Sequence, residues 1–377
     1  MAIESVVVVG TYPPTRCGLA TFTASLHGAI SSAAPHLRTG VIRLTDDEAV
    51  DGPAPSEVAA VWTPALGSLE RALDAARNFD TLVLQHEYGI YPGPDGNSVL
   101  DFLDASTNSI VAVLHTVLEA PTASQEQILE AVADRSSSVV VQSEAARRRL
   151  VDRYRVDPAK LDVIPHGAAE NFGRGPARLP HARSVLTWGL IGPGKGIEHA
   201  VAAFAPIARA NPDVRYVVCG RTHPKVLAAH GERYRMSLME LAHDLGVSEQ
   251  VEFDDRYHDW DSLRAVVREA TIVLLPYDSR EQITSGVLVE AIASGKPVVA
   301  TAFPHAVELL ARGVGIVVPH GSTSAMTDAL ALILDDPLTE GNMSRLARAA
   351  AAQLFWPEVG RRYVTLLERL HAHALAG

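Results

Sequence analysis

Cysteine is almost missing from this chain. Cys17 and Cys219 are the only two, so no more than one disulfide can form and no cysteine-based zinc site can be assembled. A reducing, cytoplasmic setting is the expectation. Long apolar runs are missing too: none approaches the ~20 residues that a membrane span requires. The first residues, Met1 to Ser5 followed by four valines, have no basic leader and include Glu4, which reads as a first buried strand instead of a signal peptide. Positive charge is in deficit, with 33 Lys and Arg against 44 Asp and Glu for a net charge of −11. Such a field repels polyphosphate and leaves no general footprint for nucleic acid, so any anion must be bound locally. Low-complexity sequence is confined to the alanine-rich stretch 347–352.

What remains is an ordinary globular composition, 47% apolar and 20% charged over 377 residues, a length that calls for two domains. Short β-branched runs at 5–9, 41–44, 81–85, 110–114, 138–141 and 162–165 alternate with segments of helical spacing such as 19–30 and 125–133. The alternation resumes at 184–188, 214–219, 271–276, 297–301 and 315–318. Strand, helix, strand repeated in this way predicts an α/β protein with two doubly wound parallel sheets. Residues 167–183, rich in Gly, Pro, Arg and Ala without periodicity, read as the linker between a domain over 1–170 and another over 183–355.

Ligands of such sheets sit beyond the carboxyl ends of the strands, so the residues there are the candidates. After the first strand, Gly10 to Thr21 forms a turn and a helix start in which Gly18 would let an anion approach free backbone N–H groups. A glycine needed only for the turn is the plainer alternative, and the G-x-G-x-x-G dinucleotide spacing is absent. Gln85, His86, Glu87, Tyr88 and Gly89 end one strand, and His115 and Thr116 another. The second half opens with Gly189-Leu-Ile-Gly192-Pro-Gly194-Lys195-Gly196. This nearly spells a P-loop, but Gly196 stands where a hydroxyl must hold magnesium. What survives is a glycine turn with one lysine, suited to a diphosphate held without a metal. Further on, Thr284, Ser285 and Gly286 look like a helix entry, with Glu290 inside the helix able to accept two hydrogen bonds from vicinal hydroxyls. The single Asp-x-Asp, Asp259 and Asp261, precedes a helix and is read as capping rather than as a metal site.

Taken in order, the first glycine turn, the Gly-x-x-x-x-Gly-Lys-Gly turn and the run Ser285-Gly-Val-Leu-Val-Glu290-Ala-x-Ala-x-Gly-x-Pro-Val-Val resemble the GT-B glycosyltransferases of family GT4. The resemblance covers nearly the whole chain and is most specific in the last run. It implies two Rossmann-like domains facing across a cleft, a final helix over about 356–377 crossing back onto the first, and hexosyl transfer with retention and without a metal or cofactor. Carried over by position, Gly18, Lys195, Gly196, Ser285, Gly286, Val287 and Glu290 would hold the donor. His115 would lie near the transferred sugar. The chain departs from the family at Gln282, where the first motif glutamate is usual and Glu281 stands one step earlier. It departs again at Leu190-Ile191, where an arginine is lost for which Arg280 or Arg221 would substitute.

The expectation is therefore a transferase moving mannose or glucose from a GDP-sugar or UDP-sugar to a hydroxyl acceptor, a sugar, polyol or glycolipid. His115, Lys195, Glu281 and Gln282 are the catalytic candidates, and Tyr12, Arg16, His86, Glu87 and Tyr88 the acceptor contacts. Arg147, Arg148 and Arg149 could meet anionic lipid at an inner membrane face, although Glu144 and Asp152 in the same stretch favour a solvated surface. A nucleotide-sugar hydrolase or epimerase, and a noncatalytic nucleotide-sugar-binding protein, are the alternatives.

Overall fold

A computed structural model describes residues 3–15, 17–46, 55–173, 183–256 and 258–376. The chain divides into two compact units, Met1–Gly167 with Trp356–Gly377, and Ala168–Phe355. Of the expected linker, residues 174–182 lie outside the described residues, as does the acceptor candidate Arg16. The part before them is not free chain: the Ala168 N–H donates to the Leu354 carbonyl at 2.8 Å, and Asn171 Nδ2 to Ser294 Oγ at 2.9 Å. Residues 168–173 are thereby bound into the second unit, and the expected boundary at 170 moves to 167.

The first unit holds a seven-stranded parallel sheet. Its strands are β1 (Ser5–Thr11), β2 (Arg38–Leu44), β3 (Val58–Trp62), β4 (Thr81–His86), β5 (Ser109–Leu114), β6 (Ser138–Val141) and β7 (Leu161–Val163), in the spatial order β3-β2-β1-β4-β5-β6-β7. The second holds six parallel strands, β8 (Arg183–Trp188), β9 (Val214–Cys219), β10 (Val251–Asp254), β11 (Ile272–Leu275), β12 (Val298–Thr301) and β13 (Gly315–Val318), in the order β10-β9-β8-β11-β12-β13. Central strands such as β1, β4 and β11 are buried along their whole length, which is why they read as unbroken apolar runs. The edge strands β3 and β10 have no counterpart among the expected runs. They are half-exposed and carry alanine or acidic residues, so neither apolar continuity nor clean alternation marks them.

Chain order reverses between β1 and β4, and again between β8 and β11, and these switch points are where doubly wound sheets open a crevice for ligands. The helix Gly18–Ala33 follows β1 and is capped by Cys17, whose sulfur accepts the Ala20 N–H at 3.3 Å. The last helix, Trp356–Ala376, packs on it. Val359, Tyr363, Leu366 and Leu367 share one core with Phe22, Leu26 and Ile30. Two glycines permit this approach: a Cβ on Gly360 would lie 2.5 Å from the Ala29 carbonyl oxygen, and one on Gly167 would lie 2.3 Å from the Trp356 ring.

Candidate functional site

In the second unit the site begins at the turn after β8. Gly194 and Gly196 have φ of +86° and +62°, and a Cβ on Gly196 would fall 1.9 Å from the Pro276 carbonyl oxygen, so the turn lies hard against the chain leaving β11. The Asp278 N–H donates to the Gly194 carbonyl at 3.1 Å and ties the two together. Gly196 then caps the helix Ile197–Ala210 without a side chain. Lys195, held between these glycines, lays its ammonium 4.3 Å above the Tyr277 ring, and burial lowers its pKa. Among the described residues the ammonium makes no ion pair or hydrogen bond, so it is a cation partly stripped of its water with no anion beside it.

The helix Gly286–Ala293 opens under the Ser285 side chain, which accepts the Leu288 N–H at 3.2 Å. The Ser285 N–H is not free as expected, because it donates to Nδ1 of the buried His305 at 2.9 Å. Gly286 and Val287 are left to supply the N-terminal donors. Glu290 lines a small pocket with Asn171, Trp260, Arg264 and Ser294. Burial raises its carboxyl to a pKa of about 7, against the opposing pull of the Trp188 indole N–H. Gln282 folds its amide back onto the Thr284 carbonyl at 3.1 Å, and Glu281 beside it is half-buried. Arg221 and Arg280 are both exposed and form no ion pair among the described residues.

Two clusters in this unit bring metal-ligating atoms together, Cys219 with Asp254 and His258, and Glu198 with His199 and Asp278. In both a carboxylate is already engaged. Arg256 holds Asp254 at 2.8 and 2.6 Å and His258 meets it at 2.9 Å, while Glu198 accepts the Tyr234 hydroxyl at 2.6 Å. The Asp259 carboxylate accepts the Ser262 N–H at 2.8 Å at a helix start, the capping role read from the sequence.

In the first unit, His115 follows β5 with both ring nitrogens engaged. Nε2 lies 2.6 Å from Gln85 Oε1 and Nδ1 lies 3.4 Å from Gln142 Nε2, an arrangement that assigns the proton to Nε2. Burial first, then the neighbouring His166 and His86, lower its pKa to about 3, so the ring is neutral at physiological pH. The start of the helix Gly18–Ala33 is open, since a Cβ on Gly18 would meet nothing within 4 Å. No packing there demands glycine.

Several acceptor candidates are engaged internally. The Tyr12 hydroxyl donates to Glu57 at 2.8 Å, and burial and that carboxylate push its pKa up to about 12. The Tyr88 hydroxyl donates to the Gln125 carbonyl at 3.1 Å. His86 is 1% exposed and its pKa is lowered to about 4 by burial, which leaves it no face for a substrate. Glu87, its pKa raised by burial, accepts from Thr116 and from the Tyr88 N–H. In the arginine cluster, Arg149 turns inward to the Val117 carbonyl at 2.7 Å and Glu119 at 3.7 Å, so only Arg147 and Arg148 of the three remain for a charged surface. Sequence reasoning missed Tyr277 beneath Lys195 and His305 behind Ser285. Neither carries a local signal, because each acts through a partner distant in sequence.

Two parallel-sheet units of this topology, with a glycine-lysine turn at one switch point, are the GT-B fold, and the chain resembles family GT4 within it. Residues 179–352 match the family model described as Glycosyl transferases group 1, a span that takes in almost all of the second unit. A D-inositol 3-phosphate glycosyltransferase of Corynebacterium glutamicum is 30% identical over 238 residues, 59% of this chain and 55% of that protein. The chain spans little more than half the length of these curated relatives. Among solved structures, a sucrose-phosphate synthase from Thermosynechococcus elongatus superposes with a TM-score of 0.76 at 17% identity, over 98% of this chain and all of the other (100%). Anabaena HepE, solved in complex with UDP and glucose, gives 0.71 at 17% identity over 98% of this chain and 99% of the other. At such identities these two structures speak for the fold.

Proposed function

We propose that the protein is a retaining hexosyltransferase that moves mannose or glucose from a GDP-sugar or UDP-sugar to a hydroxyl acceptor without a metal. The observation that carries this reading is the Lys195 ammonium on the Tyr277 ring, unpaired among the described residues, at the switch point of the second unit. A diphosphate leaving group gains negative charge as the glycosidic bond breaks. Lys195 and the N–H groups of Gly286 and Val287 are donors fixed in advance for that charge. Glu290, when ionised, accepts from the vicinal hydroxyls of the ribose. His115, neutral and with both ring nitrogens held by Gln85 and Gln142, presents its ring near the transferred sugar without adding charge. The departing phosphate oxygen takes the acceptor proton, so no carboxylate nucleophile is required. The UDP and glucose of the Anabaena relative support a nucleotide-sugar donor here.

The test is nucleotide release from a panel of GDP-, UDP- and ADP-sugars, with and without hydroxyl acceptors. Acceptor-dependent release is expected. Equal release without acceptor would make the protein a hydrolase or epimerase. Saturable binding with no release for any acceptor would make it a binding protein in which Gln282 marks lost chemistry.

A further inference from the structure

Arg43, the penultimate residue of β2, is 3% exposed, yet Nε and Nη1 of its guanidinium meet no acceptor among the described residues. Its third nitrogen, Nη2, donates to Thr15 Oγ1 at 3.3 Å. Arginine cannot shed its charge in a protein, so burial cannot be relieved by deprotonation, and a buried cation without an anion is strongly disfavoured. Among the described residues no carboxylate answers it: Glu57 accepts the Tyr12 hydroxyl at 2.8 Å and the Ser56 hydroxyl at 3.3 Å and forms no ion pair with Arg43. The position is also informative. Arg43 pairs in register with Gly10 at the carboxyl end of β1, beneath the turn that carries Tyr12 and Thr15 into the helix Gly18–Ala33. This is the edge at which doubly wound sheets bind ligands, and Thr15, which the guanidinium meets, is half-exposed.

We propose that Arg43, with Thr15, receives an oxyanion substituent, a phosphate or carboxylate, on the acceptor molecule. The guanidinium fork matches both groups, and a bound oxyanion supplies the acceptors that Nε and Nη1 lack. The inference rests on the transferase reading for the word acceptor; the oxyanion site itself stands on the geometry of the first unit.

The experiment measures melting temperature and calorimetric affinity of the full chain with a hexose 6-phosphate, a hexuronate, the neutral hexose, inorganic phosphate and a nucleoside diphosphate. It compares wild type, Arg43→Met and Thr15→Val. The wild type is expected to bind the charged sugars and to ignore the neutral one. Arg43→Met should lose about ten- to a hundredfold in that affinity while keeping its affinity for the nucleoside diphosphate. Without ligand the methionine variant should melt at or above the wild-type temperature, since a buried unpaired charge has gone; a merely structural arginine would give the opposite. Should Arg43→Met fail to fold, Thr15→Val makes the same comparison with the charge in place, and a loss of affinity for the charged sugars alone is expected. Equal binding of neutral and charged sugars, or inorganic phosphate binding as tightly as the esters, overturns the assignment. Discrimination between charged and neutral sugars without any nucleotide binding would uphold this site and sink the transferase reading.

Discussion

Replacing Lys195 by Met tests the donor site most directly. An ammonium 4 Å from a phosphate charge interacts by about 4 kcal/mol at an effective dielectric of 20, an upper bound before phosphate desolvation is counted. Hydrogen bonds to charged groups leave a net of about 1.5–3 kcal/mol, so nucleoside diphosphate affinity should fall about 10- to 150-fold. The upper half of that range is expected here, because burial has already desolvated Lys195 and lowers its pKa. That same burial penalises the charged lysine in the folded protein at neutral pH. The variant should therefore melt no lower than wild type, which separates lost binding from lost folding. Tyr277→Leu should reproduce part of the effect, about 0.5–2 kcal/mol, by removing the ring beneath the ammonium. The assay is titration calorimetry with GDP and UDP. Unchanged affinity in the methionine variant would refute the reasoning, whatever the activity measurements gave.

Glu290 should make nucleotide binding depend on pH near neutrality. Its folded pKa of about 7 lies above the ordinary 4.5, so affinity should fall as the carboxylate is protonated between pH 8 and pH 6. The sign for stability is opposite: the raised pKa costs stability as pH climbs from the unfolded value through 7. Glu290→Gln should accordingly stabilise the protein at pH 8, by up to on the order of 3 kcal/mol in denaturant titrations, and much less at pH 5. His305→Ala should leave the buried Ser285 N–H without an acceptor and cost about 1–3 kcal/mol by the same titration. Gly360→Val should force the last helix off Ala29 and cost about 1–3 kcal/mol of stability, read as a lower melting temperature, with nucleotide affinity in the second unit unchanged.

The sequence by itself determined the two doubly wound parallel sheets. Buried parallel strands must be β-branched and apolar throughout, and runs such as Val6–Val9 or Val298–Val299 announce that requirement locally. It determined the lysine turn as well, because a backbone at φ above +60° with no room for a Cβ admits only glycine at Gly196. Tertiary structure decided what the strand-end side chains are free to do. Tyr12 and Ser285 looked available until Glu57 and His305, distant in sequence, took their hydrogen bonds, and His86 looked like a strand-end ligand until packing closed over it. Arg43 shows the converse: in sequence it is a cation in a strand like any other, and only the fold buries it with no carboxylate beside it among the described residues. Periodicity and φ are properties of neighbouring residues, whereas burial and hydrogen-bond satisfaction belong to groups that meet only when the chain has folded.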